Sequence, residues 1–101
     1  MTKNIALYVR SSIQRQDMEN QMSFLHSFCS KKGYTNFKEY VDIGAGRAQY
    51  AKLLNDIRSK KINAIVCYSL DRLTRSIRGL RMLKKYLNQA NVELMIVKQY
   101  I

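Results

Sequence analysis

Ala64-Ile65-Val66-Cys67-Tyr68-Ser69-Leu70-Asp71-Arg72-Leu73-Thr74-Arg75-Ser76 passes from a short apolar run into a charged one. Ala64 to Tyr68 reads as a buried strand, and beyond it Leu73, Ile77, Leu80, Leu83 and Leu87 recur at roughly helical spacing. The stretch therefore marks a strand-to-helix junction. A helix opening near Asp71 would project Arg72 and Arg75 from neighbouring turns of one face, beyond the carboxyl end of the strand. Two arginines in a first turn oppose the helix dipole at about 0.3–1 kcal/mol each, a cost that an anion would relieve. Free amide groups at a helix start favour a phosphate, and guanidinium forks add paired donors matched to its oxygens. The plainer reading is that Asp71 caps the helix and pairs with Arg72 or Arg75 as a surface ion pair.

The same alternation extends outward in both directions. Upstream, Asn4-Ile5-Ala6-Leu7-Tyr8-Val9-Arg10 reads as a strand apolar enough to be covered on both faces. A polar loop with Gln14, Arg15, Gln16 and Asp17 precedes a helix marked by Met18, Gln21, Met22, Leu25, Phe28 and Cys29, which stops at Lys31-Lys32-Gly33. Phe37 to Ile43 forms a second strand, broken by Gly44-Ala45-Gly46, and Tyr50, Leu53, Leu54 and Ile57 stripe a second helix that ends at Lys60-Lys61. A last strand runs from Val92 to Val97. This β-α-β-α-β-α-β order predicts a three-layer α/β/α fold with a mainly parallel four-stranded sheet. Ligands in such sheets sit outside the carboxyl ends of the strands, where strand order reverses. Those ends carry Arg10-Ser11-Ser12, then Asp42 with the glycine turn, then Asp71-Arg72 with Arg75.

Composition narrows the partners. At 101 residues and 47% hydrophobic content the chain suits one folded domain. No apolar run approaches a membrane span, and Met1-Thr2-Lys3-Asn4 leads into a strand without a signal-peptide core, so a cytoplasmic protein is expected. Cys29 and Cys67 fall in a helix and a buried strand with no CxxC spacing, which favours two reduced, packed thiols. Eighteen Lys+Arg against seven Asp+Glu give a net charge of +11, which invites a polyanion through long-range attraction and counterion release. DNA or RNA is the first candidate. No segment joins a basic face to a wide apolar one, as membrane binding would require. Arg78, Arg81, Lys84 and Lys85 extend the basic character along the third helix without forming one clean stripe, and a solvated face explains them equally.

A serine at a strand end, among arginines and a carboxylate, suits phosphoryl transfer. Hydroxyl attack on a phosphodiester builds charge on the non-bridging oxygens, and fixed guanidinium groups stabilise that charge more as it grows. The leaving 3′ oxygen needs a proton or a positive neighbour, for which Asp71, Arg72 and Arg10 are candidates. His26 lies within the first helix, away from this edge, and reads as structural. Asp42 and Asp71 are the acids at strand ends and are crowded by cations, so no metal and no other cofactor is expected. Taken alone, Ser11 and Ser12 read more simply as a plain turn or a helix N-cap.

Together these segments carry a resemblance. Tyr8-Val9-Arg10-Ser11-Ser12, then Gln16, Glu19 and Gln21, then Asp42 with Gly46, then Leu70-Asp71-Arg72-Leu73-Thr74-Arg75-Ser76 resemble the catalytic domain of serine recombinases of the resolvase/invertase and phage-integrase type over essentially the whole chain. The resemblance implies a resolvase-like fold and site-specific DNA recombination through a 5′-phosphoserine intermediate. It implies Ser12 as nucleophile, Arg10, Arg72 and Arg75 around the scissile phosphate, and Asp71 as the acid that assists proton transfer or holds the arginines. Gln21, Asp42 and Arg47 would be supporting or phosphate-binding residues. It also implies strand exchange by subunit rotation in a synaptic tetramer built from homodimers, without ATP or metal.

This sequence departs from the family pattern at Ser11, where an aliphatic residue is usual, at Ala45, where a serine is common, and in a shorter loop before Arg47. The dimerisation helix and DNA-binding region that usually follow are not found before Ile101. The expectation is therefore a catalytic domain over 1–101, monomeric or weakly dimeric, without sequence-specific binding and inactive by itself. The rival is a non-catalytic basic DNA- or phosphate-binding α/β domain, a regulatory or decayed recombinase relative. A flavodoxin-like cofactor domain lacks a phosphate-cradling glycine loop and leaves the charge unexplained.

Overall fold

Period-two alternation in the first strand organises the molecule, because each of its two faces finds a separate apolar cluster. A computed structural model describes residues 3–12 and 15–100, the last two by their backbone alone. In β1 (Ile5–Ser11), Ala6 and Tyr8 face one cluster, with Tyr40, Ile65 and Cys67 beside them. Ile5, Leu7 and Val9 face the other, with Ala64, Val66 and Met95. β1 pairs in parallel with β2 (Phe37–Ile43) and with β3 (Ala64–Cys67), and β3 pairs in parallel with β4 (Glu93–Ile96). The strand order is β2-β1-β3-β4, so the sheet is wholly parallel, where the sequence predicted only a mainly parallel one.

Helices cover both faces, as parallel pairing requires. α1 (Arg15–Lys32) lays Leu25, Phe28 and Cys29 on the face of Ile5, Leu7 and Val9. α2 (Ala48–Arg58) and α3 (Ile77–Ala90) lay Leu53, Ile57, Leu83 and Leu87 on the opposite face. α1 ends as its sequence foretells: Gly33 takes a φ of 77° and Tyr34 N donates to Cys29 O at 2.9 Å, closing the last turn. Cys29 and Cys67 are free thiols in different clusters. Burial raises the pKa of both, that of Cys67 to about 12. Among the described residues no helix is long and apolar enough to cross a membrane.

The expected helix near Asp71 is corrected. Leu70–Arg72 makes a single 3-10 turn, and α3 begins only at Ile77. Two facts set this boundary. Leu73 is fully buried in the core, which draws the chain inward after the 3-10 turn. Ser76 then sits in an extended conformation and accepts a hydrogen bond from Gly79 N at 2.9 Å, an N-cap that starts the helix there. Arg72 and Arg75 therefore precede the helix, and the dipole cost does not arise. Asp71 accepts from Ser69 Oγ and does not cap α3. Ile77, expected on the apolar stripe, is 73% exposed. α1 also opens earlier than expected, which moves Arg15, Gln16 and Asp17 out of the loop and into the helix.

Candidate active site at the switch point of the sheet

Strand order reverses at β1, whose neighbours are β2 on one side and β3 on the other. The connections leaving β1 and β3 part at their carboxyl ends and leave a crevice. A cavity of about 380 Å³ lies there, lined by Arg10, Ser11 and Ser12 from β1, Gly44 and Ala45 after β2, and Asp71, Arg72 and Arg75 after β3. The five residues expected to be catalytic, Ser12, Arg10, Asp71, Arg72 and Arg75, are thus brought together. Three guanidinium groups against one carboxylate leave the cavity net positive, as a phosphate requires.

The two adjacent serines have different surroundings. Ser11 is the last residue of β1, only 2% exposed, and its Oγ donates to Asp17 Oδ2 at 2.9 Å. Ser12 lies just beyond the strand and is exposed at the cavity wall. Arg72 Nη1 donates to Arg10 O at 3.2 Å and lies 3.9 Å from Asp17 Oδ2, while Arg72 Nε has no hydrogen-bond partner among the described residues. The Asp71 carboxyl is held below its usual range, first by the Ser69 hydrogen bond and then, against a partial burial penalty, by Arg72 and Arg75. It is a carboxylate at neutral pH.

Gln21, Asp42 and Arg47 do not line the cavity. Gln21 is buried behind it, where Nε2 donates to Arg10 O at 3.0 Å and to Asp17 Oδ2 at 3.1 Å. Asp42 joins the ends of the two strands to the start of α2. Its Oδ2 accepts from Tyr8 Oη at 2.7 Å and from Tyr50 N at 2.9 Å, and Oδ1 accepts from Gln49 N at 2.9 Å. α2 needs this acceptor because Arg47, at its N-cap position, offers no side-chain bond. Burial and then Asp42 push the Tyr8 hydroxyl pKa well above its ordinary value, so Tyr8 stays a donor. Asp42→Ala strands those donors, and we expect a loss of about 2–4 kcal/mol. A fall in Tm of about 10 °C or more would register it; an unchanged Tm would show that α2 finds another cap.

Arg47 faces elsewhere. Nη2 donates to Leu73 O, and the guanidinium carbon sits 4.1 Å from the Tyr50 ring centroid, so the side chain ties α2 to the turn after Arg72. His26 pairs with Glu39 at 2.6 Å, edge-on to Phe37, as a structural residue. Asp17 is the site residue that the sequence reading missed. Its spacing of four from Gln21 on one helix face was the available signal.

The profile of the family described as "Resolvase, N terminal domain" matches residues 5–101. A search of curated proteins finds no match. Among solved structures, a resolvase family site-specific recombinase from Streptococcus pneumoniae is similar at 25% identity and a TM-score of 0.87, over 99% of this chain and 75% of that one. The N-terminal catalytic domain of TP901-1 integrase is similar at 25% identity and a TM-score of 0.82, over 98% and 81%. A serine recombinase from Sulfolobus solfataricus is similar at 27% identity and a TM-score of 0.79, over 97% and 69%.

Proposed function

Since the chain belongs to the resolvase N-terminal domain family and is a serine site-specific recombinase catalytic domain acting on DNA, we propose that Ser12 is its nucleophile. Ser12 Oγ attacks the scissile phosphorus, its proton is released, and the 3′ oxygen leaves as a hydroxyl after taking up a proton. The 5′ phosphate stays bound to Ser12 as a phosphodiester. Attack by the 3′ hydroxyl of an exchanged strand reverses these steps and frees the serine. One phosphate ester replaces another throughout, so the joining step draws on no ATP.

The single observation that carries this reading is the exposed Ser12 in one cavity with Arg10, Arg72 and Arg75. The arginines stabilise the charge that develops on the phosphoryl oxygens. Asp71, ionised at neutral pH and bonded to Ser69 Oγ, offsets part of the positive charge of Arg72 and Arg75 in the same cavity. Gln21 fixes the Arg10 carbonyl, while Asp42 and Arg47 support the wall through α2 and the Leu73 turn. We assign the working unit as a homodimer that pairs into a synaptic tetramer on DNA.

The test joins the chain to a DNA-binding module of known half-sites and presents a nicked substrate that traps the cleaved state. Mass spectrometry of the digested complex should find DNA on the peptide containing Ser12. Specific binding without any adduct would instead favour a non-catalytic phosphate-binding relative.

A further inference from the structure

The mechanism leaves one charged side chain beside the cavity unused. Asp17, in the first turn of α1, brings its Oδ2 to Ser11 Oγ at 2.9 Å, to Gln21 Nε2 at 3.1 Å and to Arg72 Nη1 at 3.9 Å. Gln21 and Arg72 both donate to Arg10 O as well, at 3.0 and 3.2 Å. The carbonyl of Arg10 and the hydroxyl of Ser11 are thus gripped from α1 and from the turn after β3. The Arg10–Ser11 peptide and the Ser11 side chain are thereby held one residue before Ser12. Fixing residue 11 limits the directions in which the chain, and Ser12 with it, can leave the strand.

We propose that Asp17 is a positioning residue for strand cleavage: with Ser11 as its partner it fixes the approach to Ser12 and the reach of Arg72. The proposal rests on Ser12 being the nucleophile. An acid in a first helical turn is ordinarily explained by the helix dipole. That explanation accounts for a carboxylate at this position but not for its contacts with Ser11 and Arg72, which tie three separate segments together. Nor does phosphate binding account for it, since a carboxylate beside a phosphate cavity repels the substrate. The serine at position 11 makes the arrangement possible, because an aliphatic side chain there would give Asp17 no hydroxyl donor.

Opposite effects on binding and chemistry follow from this arrangement. In Asp17→Asn the side chain keeps its shape but loses its charge, so it releases Arg72 while removing a repulsion. DNA affinity should stay level or tighten, while the single-turnover cleavage rate of the bound complex falls about 10- to 100-fold, since misplacing a reacting group by about 1 Å can cost on the order of 10²-fold. Ser11→Ala, which removes one of the bonds, should slow cleavage by less than about tenfold. The measurement uses the chain joined to the DNA-binding module, with affinity, cleavage rate and Tm recorded for each variant. Cleavage by Asp17→Asn at the wild-type rate or faster overturns the proposal, and so does a parallel loss of affinity, rate and Tm, which marks a merely structural acid. A wild-type chain that forms no adduct defeats the recombinase reading itself; a wild-type adduct with an unimpaired Asp17→Asn defeats this proposal alone.

Discussion

Ser12→Ala is expected to abolish the covalent DNA adduct and to lower cleavage by about a thousandfold or more, while Ser11→Ala keeps an adduct on Ser12. The magnitude follows from the role: removing a nucleophile removes the pathway, and the arginines that remain have no attacking oxygen to stabilise. The contrast between neighbours follows from geometry. Ser11 Oγ is buried at the end of β1 and donates to Asp17, whereas Ser12 is exposed at the cavity wall. Mapping the adduct in both variants decides the assignment. An adduct that survives Ser12→Ala and disappears in Ser11→Ala would keep the reaction and transfer the role to Ser11.

Arg72→Ala carries the second large effect. The guanidinium lies at the centre of the site, bonded to Arg10 O and near Asp17 while lining the cavity. Its loss should cost about 100- to 1,000-fold in the rate of the bound complex, or ~2.7–4 kcal/mol, the scale of removing one fixed donor from a developing oxyanion. Affinity for DNA should fall less, with the salt dependence of binding reduced by about one charge. Arg72→Lys should rescue little, because an ammonium cannot hold the Arg10 carbonyl and a phosphate oxygen with one planar fork. If Arg72→Ala weakened binding while bound DNA was cleaved at the normal rate, Arg72 would be a binding residue and no more.

Much of this arrangement was legible from sequence because it depends on short-range patterns. The bounds of β2, Phe37 to Ile43, are those the alternation predicted, and Gly33 closes α1 where the lysine-glycine signal placed its end. Parallel topology then carries the ends of β1 and β3 to one crevice, and with them Ser12, Arg10, Asp71, Arg72 and Arg75. The start of α3 was misplaced because tertiary contacts outweigh local pattern there. Burial of Leu73 and the Ser76 cap delay α3, and neither is visible in the spacing of leucines. Asp42 stands at a strand end like a ligand-binding acid, yet its oxygens serve Tyr8 and the amides of Gln49 and Tyr50. Arg47 is near the site in sequence pattern but is drawn to Leu73 O and the Tyr50 ring. Asp17 was hidden because its partners Ser11 and Arg72 lie in other segments, the latter far along the chain.

The central place of β1 in the sheet also governs how the site opens. Hydrogen-bonded on both sides and apolar on both faces, β1 is expected to exchange its amides with solvent only when the whole domain unfolds. Ser12 is attached directly to it. Arg72 and Arg75 are carried instead by a 3-10 turn and the span before α3, held by local bonds such as Arg72 N to Ser69 O, and such segments open at far lower free energy. Ser12, the proposed nucleophile, thus adjoins an element expected to exchange slowly, while Arg72 and Arg75 ride on one expected to exchange faster.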